Sequence, residues 1–234
     1  MILIKLLLAH LIGDFFLQPQ KWVKEKEEKK LKSPKLYVHV LIHIAITALL
    51  LWNIKLWPII LIIGVSHFII DALKLLVQKK KTKRLFFFID QLLHVLVIVV
   101  CYFIFSKQVS ITQISFSENT LILITCFLFL TIPVSIIMKT IFLKWNISEL
   151  TKNNQSLKDA GKYIGILERI LVFIFIIADH WEAVGFLITA KSVFRFGDLK
   201  ESKTRQLTEY ILIGTLISFG IAIITGIIFT TITS

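Results

Sequence analysis

Long apolar runs separated by short lysine-rich segments set the pattern of this chain. The runs lie at about residues 2–18, 36–52, 58–77, 85–105, 119–142, 163–179, 183–196 and 207–231. Most approach the ~20 helical residues that cross a bilayer, and they lack the alternation typical of barrel strands. The pattern predicts an all-α, polytopic transmembrane helix bundle of about seven to eight spans with no β-sheet. The run at 183–196 is short and is interpreted as a half-span or a tilted helix.

Composition excludes the soluble classes of protein. Hydrophobic residues make up 56% of the 234 residues, charged residues make up 18%, and the mean hydropathy is +0.80. Soluble domains average about 45–50% and about 25% for the same two classes. Cys101 and Cys126 lie in apolar runs without ligand spacing, so they are interpreted as packing residues. We therefore expect a single integral membrane domain over 1–234, with a first half at 1–105 and a second half at 119–234.

The net charge of +12 is concentrated between the apolar runs. Four basic segments, at 19–35, 78–84, 143–162 and around 200–205, all fall on one side of the membrane if the spans are right. Cytoplasmic loops carry an excess of lysine and arginine, so these segments are predicted to be cytoplasmic and both termini to be outside. The loops account for the charge without a nucleic-acid partner. The partners expected from them are anionic membrane lipids.

Polar residues inside the first four runs share one spacing. Each run carries two of them four positions apart, which places both on one face of a helix. The pairs are His10 with Asp14, His39 with His43, His67 with Asp71, and Asp90 with His94. The runs alternate in direction and the pairs lie at similar depth. The expected arrangement is a layer of histidines from all four helices above a layer of Asp14, His39, Asp71 and Asp90.

This ring of eight side chains predicts a metal site. A carboxylate in the middle of a membrane helix costs about 2.5–3.5 kcal/mol, and three at one depth also repel one another. A divalent cation offsets both costs, so all eight residues are predicted to hold one or two metal ions, some of them by orienting a ligand. Imidazole and carboxylate without sulfur favour zinc, manganese or iron. Gln18 and Gln91 are interpreted as pocket groups or helix-end residues, and a proton relay is the alternative role for the ring.

The second half carries charges of a different kind. A cationic cluster beside a metal would suit a phosphate group, which arginine binds with two parallel hydrogen bonds. The predicted substrate-binding residues are Glu168, Arg169, Lys191 and Arg195. Ion pairing and snorkelling to the interface is the simpler explanation, above all for Arg195 and Glu209.

Several stretches of sequence point to a family. The chain contains LLLAHLIGDFFLQ, HFIIDALK, FFIDQLLHV, GILERILVF, AKSVFRFGDL and EYILIGTL. In these stretches, which extend over nearly its whole length, the chain resembles a family of bacterial multi-pass membrane proteins, domain-of-unknown-function family 3307. The resemblance implies a bacterial inner-membrane protein and implies no particular activity. In residue types alone, the first four runs are also similar to membrane-bound metal-dependent hydrolases.

These observations predict a membrane-embedded, metal-dependent enzyme that hydrolyses a phosphoester or related bond of a lipid-like substrate at the cytoplasmic leaflet. Asp14, Asp71 and Asp90 are the predicted catalytic residues, one of which accepts a proton from an activated water. Two alternatives use the same ring: a transporter of divalent cations or protons, and a di-iron oxidoreductase that modifies lipids. A sensor or scaffold with a structural metal is a further alternative. The outer halves of the four runs are almost wholly apolar, which disfavours a polar path across the membrane.

Overall fold

The computed structural model describes residues 1–105, 117–145, 159–201 and 205–234, without the side chains of 194–205. The described residues are almost entirely helical and contain no strand, which confirms the all-α fold class. They form two compact units, Met1–Thr125 and Cys126–Ser234. The division falls inside the helix Glu118–Leu130, beyond the segment 106–118 that separates the two expected halves.

The first unit is built from apolar helices and one short basic helix. Helix α1 (Ile2–Leu11) continues into a π-helical segment (Ile12–Phe16), and after a bend of 82° the chain forms α2 (Gln20–Lys29). The following helices are α3 (Pro34–Leu51), α4 (Trp57–Val77), α5 (Lys83–Phe105) and α6 (Glu118–Leu130). Helix α1 packs against α3, α3 against α4, α4 against α5, and α5 against α1, so these four helices form a closed ring.

Local sequence explains where these helices begin. The Ser33 hydroxyl accepts a hydrogen bond from the Lys35 amide, and Pro34 occupies the first turn of α3, where its missing N–H costs nothing. Pro58 has the same place in α4. These signals lie where the sequence analysis placed the starts of the second and third runs, at 36 and 58.

The four-helix ring is polar inside and apolar outside. Large side chains such as Leu92 (66% exposed) and Phe103 (70% exposed) face outward, whereas the five ring histidines are buried. This is the arrangement that a lipid environment favours. One end of the ring is closed by an apolar cluster, which we call the apolar plug: Ile2, Leu6, Leu51, Leu56, Ile59, Ile63, Ile98 and Cys101.

The segment 19–35, which we expected to be a basic loop, is helical over Gln20–Lys29 and forms one further turn at Lys30–Lys32. Glu25 accepts a hydrogen bond from Lys29, four positions later, and such pairs stabilise a short helix. Glu27 pairs with Lys83 at the start of α5, which fastens α2 to the ring. The basic residues of this segment are therefore held in a fixed helix beside the polar end of the ring.

The second unit contains a broken helix. Helix α6 ends at Leu130, and after Thr131 the chain continues as α7 (Ile132–Phe142) with Pro133 in its first turn, so one residue interrupts the candidate span Glu118–Phe142. Helices α8 (Ala160–Ile177), α9 (Trp181–Glu201) and α10 (Arg205–Thr233) follow, and α8 packs against the other three.

Five helices of the described chain are long and apolar enough to cross a membrane, or six if the bent pair of α1 and α2 is one span. The protein is therefore a membrane protein. The expected total of seven to eight spans included α8 and α9, which are formed but are not among the five. Helix α8 carries Lys162, Glu168 and Arg169 within 18 residues, whereas each of the five spans has an 18-residue stretch with at most two charged residues.

Candidate metal centre

Asp14 lies at the middle of the polar interior because of the π-helical segment after α1. The Leu17 amide donates to the Ile12 carbonyl over 3.0 Å, the five-residue spacing that defines a π turn. A π turn takes more residues than an α turn, so it changes the direction of the side chains it carries, and such turns are frequent at functional sites. The Asp14 carboxylate remains 9% exposed and points into the ring.

Three imidazoles meet one oxygen of this carboxylate. The Nε2 atoms of His43, His39 and His67 lie 2.9, 3.2 and 3.4 Å from Asp14 Oδ1. His39 Nε2 and His67 Nε2 are 3.0 Å apart. His10 also brings a ligand atom within 4.8 Å of those of Asp14, His43 and His67. In a tetrahedral site with bonds of ~2.0–2.1 Å the ligand atoms are about 3.3 Å apart, and the distances given above for Asp14, His39, His43 and His67 are close to this value. The donor types of these four residues suit a zinc-type site. We call them the Asp14 cluster.

Close packing fixes the His43 ring. The ring stacks on His67 with centroids 3.7 Å apart and meets His39 edge-on at 4.6 Å. On its other side lies Gly13, where a Cβ atom would be only 2.4 Å from the imidazole. Glycine at this position therefore leaves the space that the ring occupies.

Asp71, Asp90 and His94 form a second group beside the first. His94 Nε2 lies 3.6 Å from Asp90 Oδ1 and 3.7 Å from Asp71 Oδ1. Asp14, Asp90 and His94 also bring ligand atoms within 4.8 Å of one another. The two groups are therefore adjacent, and Asp14 reaches both.

Two lysines neutralise part of this carboxylate charge. Lys26 of α2 is only 5% exposed, and its Nζ donates to Asp71 Oδ2 over 2.7 Å. Lys74, one turn after Asp71 on α4, donates to Asp90 Oδ2 over 2.7 Å. The sequence analysis missed both residues. The three-residue spacing from Asp71 to Lys74 was a usable signal, whereas Lys26 reaches the interior only because of the bend before α2.

Two glutamines complete the hydrogen bonding. Gln91 accepts from His10 Nε2 over 3.2 Å and donates to Asp14 Oδ2 over 2.8 Å. Gln18 donates to His39 Nε2 over 2.7 Å. Both are pocket groups, one of the two interpretations given for them, and Gln91 links His10 to Asp14.

The structure thus brings together all eight residues predicted for the metal site. They do not form two separate layers: Asp14, expected in the lower layer, lies among the histidine rings of the upper one, because the π-helical segment reorients it.

The predicted substrate-binding residues have partners inside the second unit. Glu168 accepts a hydrogen bond from Lys191. Arg169 is 3% exposed and donates to the carbonyls of Leu130 and Thr131. It also donates to the hydroxyls of Ser135 and Ser218. The guanidinium therefore satisfies backbone carbonyls freed at the break between α6 and α7. Arg195 belongs to α9, but its side chain lies outside the described residues.

Comparison with known proteins adds a family. The family model described as "Protein of unknown function (DUF3307)" matches residues 2–124, which contain the whole candidate metal centre. Searches of curated proteins and of solved structures return no match to the chain.

Proposed function

The chain belongs to the DUF3307 family of proteins of unknown function, and we propose from its buried cluster that it is a membrane-embedded, metal-dependent enzyme. The reaction proposed is hydrolysis of a phosphoester or related bond in a lipid-like substrate. The observation that carries the proposal is the Asp14 cluster, in which three imidazole nitrogens lie within 3.4 Å of one carboxylate oxygen. Five buried histidines in an apolar ring are costly unless they have such a use.

The ligand set agrees with a hydrolytic metal site. These groups would hold a zinc, manganese or iron ion, which would supply an activated water and polarise the phosphoryl oxygen. One of the three ring aspartates is the proposed proton acceptor as the water oxygen bonds to phosphorus. The bond from phosphorus to the ester oxygen breaks, and that oxygen leaves as an alcohol with the proton. Gln91 donates to Asp14 Oδ2 and accepts from His10, and so keeps the Asp14 carboxylate in place.

We place the protein in the bacterial inner membrane, with its basic segments cytoplasmic and both termini outside. Lys21, Lys24 and Lys29 are exposed on α2, beside the polar end of the ring. Anionic lipids are attracted to such a basic interfacial helix. A phosphate-bearing head group of the cytoplasmic leaflet is accordingly the proposed substrate. The proposal does not use Glu168, Arg169, Lys191 or Arg195, because the described contacts of the first three lie within their own unit.

Transport by the same residues is the competing function. A transit site needs a polar path to both sides of the membrane. Here the ring is closed at one end by the apolar plug, in which Leu6 is 2% and Ile59 is 0% exposed. The plug favours an enzyme that is open from one side only. The di-iron alternative differs in the metal it requires.

Metal analysis of protein purified in detergent without chelators tests the proposal. We expect at least one zinc, manganese or iron per chain in the wild type, and loss of that metal in His43→Ala and Asp14→Ala. His180→Ala is the matched control, because His180 is exposed and its described partner is Glu182. Vesicles of phosphatidic acid then provide the substrate, and we expect metal-dependent release of phosphate. Wild-type protein without metal would refute the enzyme, and flux of the ion across vesicles without hydrolysis would favour transport.

A further inference from the structure

The gap between Asp71, Asp90 and His94 is a second candidate cation site, adjacent to the Asp14 cluster. Asp90 is 2% and His94 is 4% exposed. Nevertheless Asp90 Oδ1 and His94 Nε2 have no hydrogen-bond partner among the residues that the structure describes. Buried polar atoms are nearly always paired, so two atoms that face each other at 3.6 Å without a hydrogen bond indicate a place where a ligand can bind.

The geometry of the two carboxylates identifies that ligand as a cation. Each aspartate gives its Oδ2 atom to a lysine, Asp71 to Lys26 and Asp90 to Lys74. The Oδ1 atom of each aspartate faces His94 Nε2, at 3.7 Å for Asp71 and 3.6 Å for Asp90. Bonds of ~2.2 Å to a tetrahedral ion separate the ligand atoms by about 3.6 Å, which is close to both distances from His94 Nε2. Asp14 also brings a ligand atom within 4.8 Å of those of Asp90 and His94. The lysines therefore occupy the outer oxygens and orient the inner ones, as groups behind metal ligands commonly do.

The charge of the loaded centre then requires an anion. Asp14, Asp71 and Asp90 contribute three negative charges and Lys26 and Lys74 contribute two positive ones, so with neutral imidazoles the sum is −1. One divalent ion changes the sum to +1 and a second changes it to +3. An excess of three positive charges is unfavourable in a buried site unless an anion binds together with the second ion.

We propose that a second divalent cation binds between Asp71, Asp90 and His94, and that it binds together with a phosphate group. This inference rests on the proposed function, because the phosphate is that of the substrate. It makes the protein a two-metal centre, a type of site that holds both the attacking and the leaving oxygen in phosphoester hydrolysis. It also defines the substrate class as a phosphate carrying two negative charges, which returns the sum to +1.

Titration with Mn²⁺ followed by electron paramagnetic resonance tests the inference, using the full chain in detergent. In the wild type we expect one tightly bound ion without phosphate. With inorganic phosphate we expect a second ion, bound at least tenfold more tightly than in its absence, and a spin-coupled signal from two adjacent ions. Binding must be reciprocal, so Mn²⁺ must raise the affinity for phosphate by the same factor. Soluble phosphatidic acid and phosphatidylcholine of short chain length, added in place of inorganic phosphate, show whether a lipid head group acts likewise.

Variants separate this inference from the proposed function. Asp90→Asn keeps the volume of the side chain and should lose the second ion and the coupled signal while retaining the first ion. Lys74→Met removes one positive charge, so its second ion should depend less on phosphate. His180→Ala should behave as the wild type. Three results would overturn the inference but leave the enzyme proposal intact. They are a single bound ion at all phosphate concentrations, a second ion whose affinity does not depend on phosphate, and a second ion that still binds in Asp90→Asn. Absence of any bound ion would refute both.

Discussion

Gly13→Ala is the smallest change that tests the packing of the candidate metal centre. The added Cβ would lie 2.4 Å from Cε1 and Nε2 of His43, whereas ordinary contact begins at 3.4 Å. The imidazole therefore has to retreat by about 1 Å, the difference between these distances. His67 is stacked behind the ring at 3.7 Å, so the retreat also disturbs a second member of the Asp14 cluster.

The expected cost follows from two opposing effects. Overpacking of a filled interior costs about 1–3 kcal/mol. Replacing glycine by alanine in a helical segment returns up to about 1 kcal/mol. We therefore expect a net loss of about 1–2 kcal/mol, which for a chain of this size lowers Tm by roughly 2–8 °C. Because a binding constellation tolerates displacements of about 0.5 Å, zinc affinity should also fall at least about tenfold.

The assay is thermal unfolding in detergent, with and without zinc, together with a zinc competition titration. Gly220→Ala is the matched control: a Cβ added at Gly220 in α10 has nothing within 4 Å, so its Tm should be unchanged or slightly higher. If Gly13→Ala binds zinc as the wild type does and has the Tm of the control, the His43 ring does not occupy the place described here.

Three further substitutions test separate parts of the account. Lys26→Met removes the lysine partner of the buried Asp71 carboxylate and should destabilise the metal-free protein by about 3–5 kcal/mol in thermal unfolding. Lys29→Met, at an exposed position of the same helix, should cost less than about 0.5 kcal/mol. Equal effects of the two substitutions would contradict the buried ion pair. Gln91→Leu should weaken metal binding about 10–100-fold in a competition titration, and unchanged affinity would exclude its orienting role. Arg169→Lys should lower Tm without changing metal content; loss of metal at unchanged Tm would instead support a role in the site.

Helical periodicity explains why the convergence of the ring could be predicted. Residues four apart share a face, and four apolar helices in sequence can pack so that those faces meet. The four-residue spacing alone was enough to predict that His39 and His43 share a helix face, as do Asp90 and His94. The merging of the layers could not be predicted, because the π-helical segment at Asp14 depends on the packing of α1 against its neighbours rather than on a pattern of residue types.

Charged partners were harder to predict than the ring itself. Lys26 appears in the sequence as one of many lysines in a basic segment, and only the bend of 82° before α2 turns it inward. Arg169 appears as a candidate for binding phosphate, but its partners are carbonyl oxygens at a helix break. Free backbone carbonyls cannot be recognised from residue types, and the nearby Pro133 is the one sequence signal of the helix break that exposes them.

The central claim is that buried histidines and aspartates bind a metal ion directly. X-ray absorption spectroscopy, recorded at the absorption edge of the metal that copurifies with the chain, identifies the ligand atoms and their distances. The account predicts nitrogen and oxygen ligands at about 2.0–2.2 Å with the scattering of two or more imidazoles, and no sulfur. A sulfur ligand at about 2.3 Å, or an ion without imidazole scattering, would contradict it.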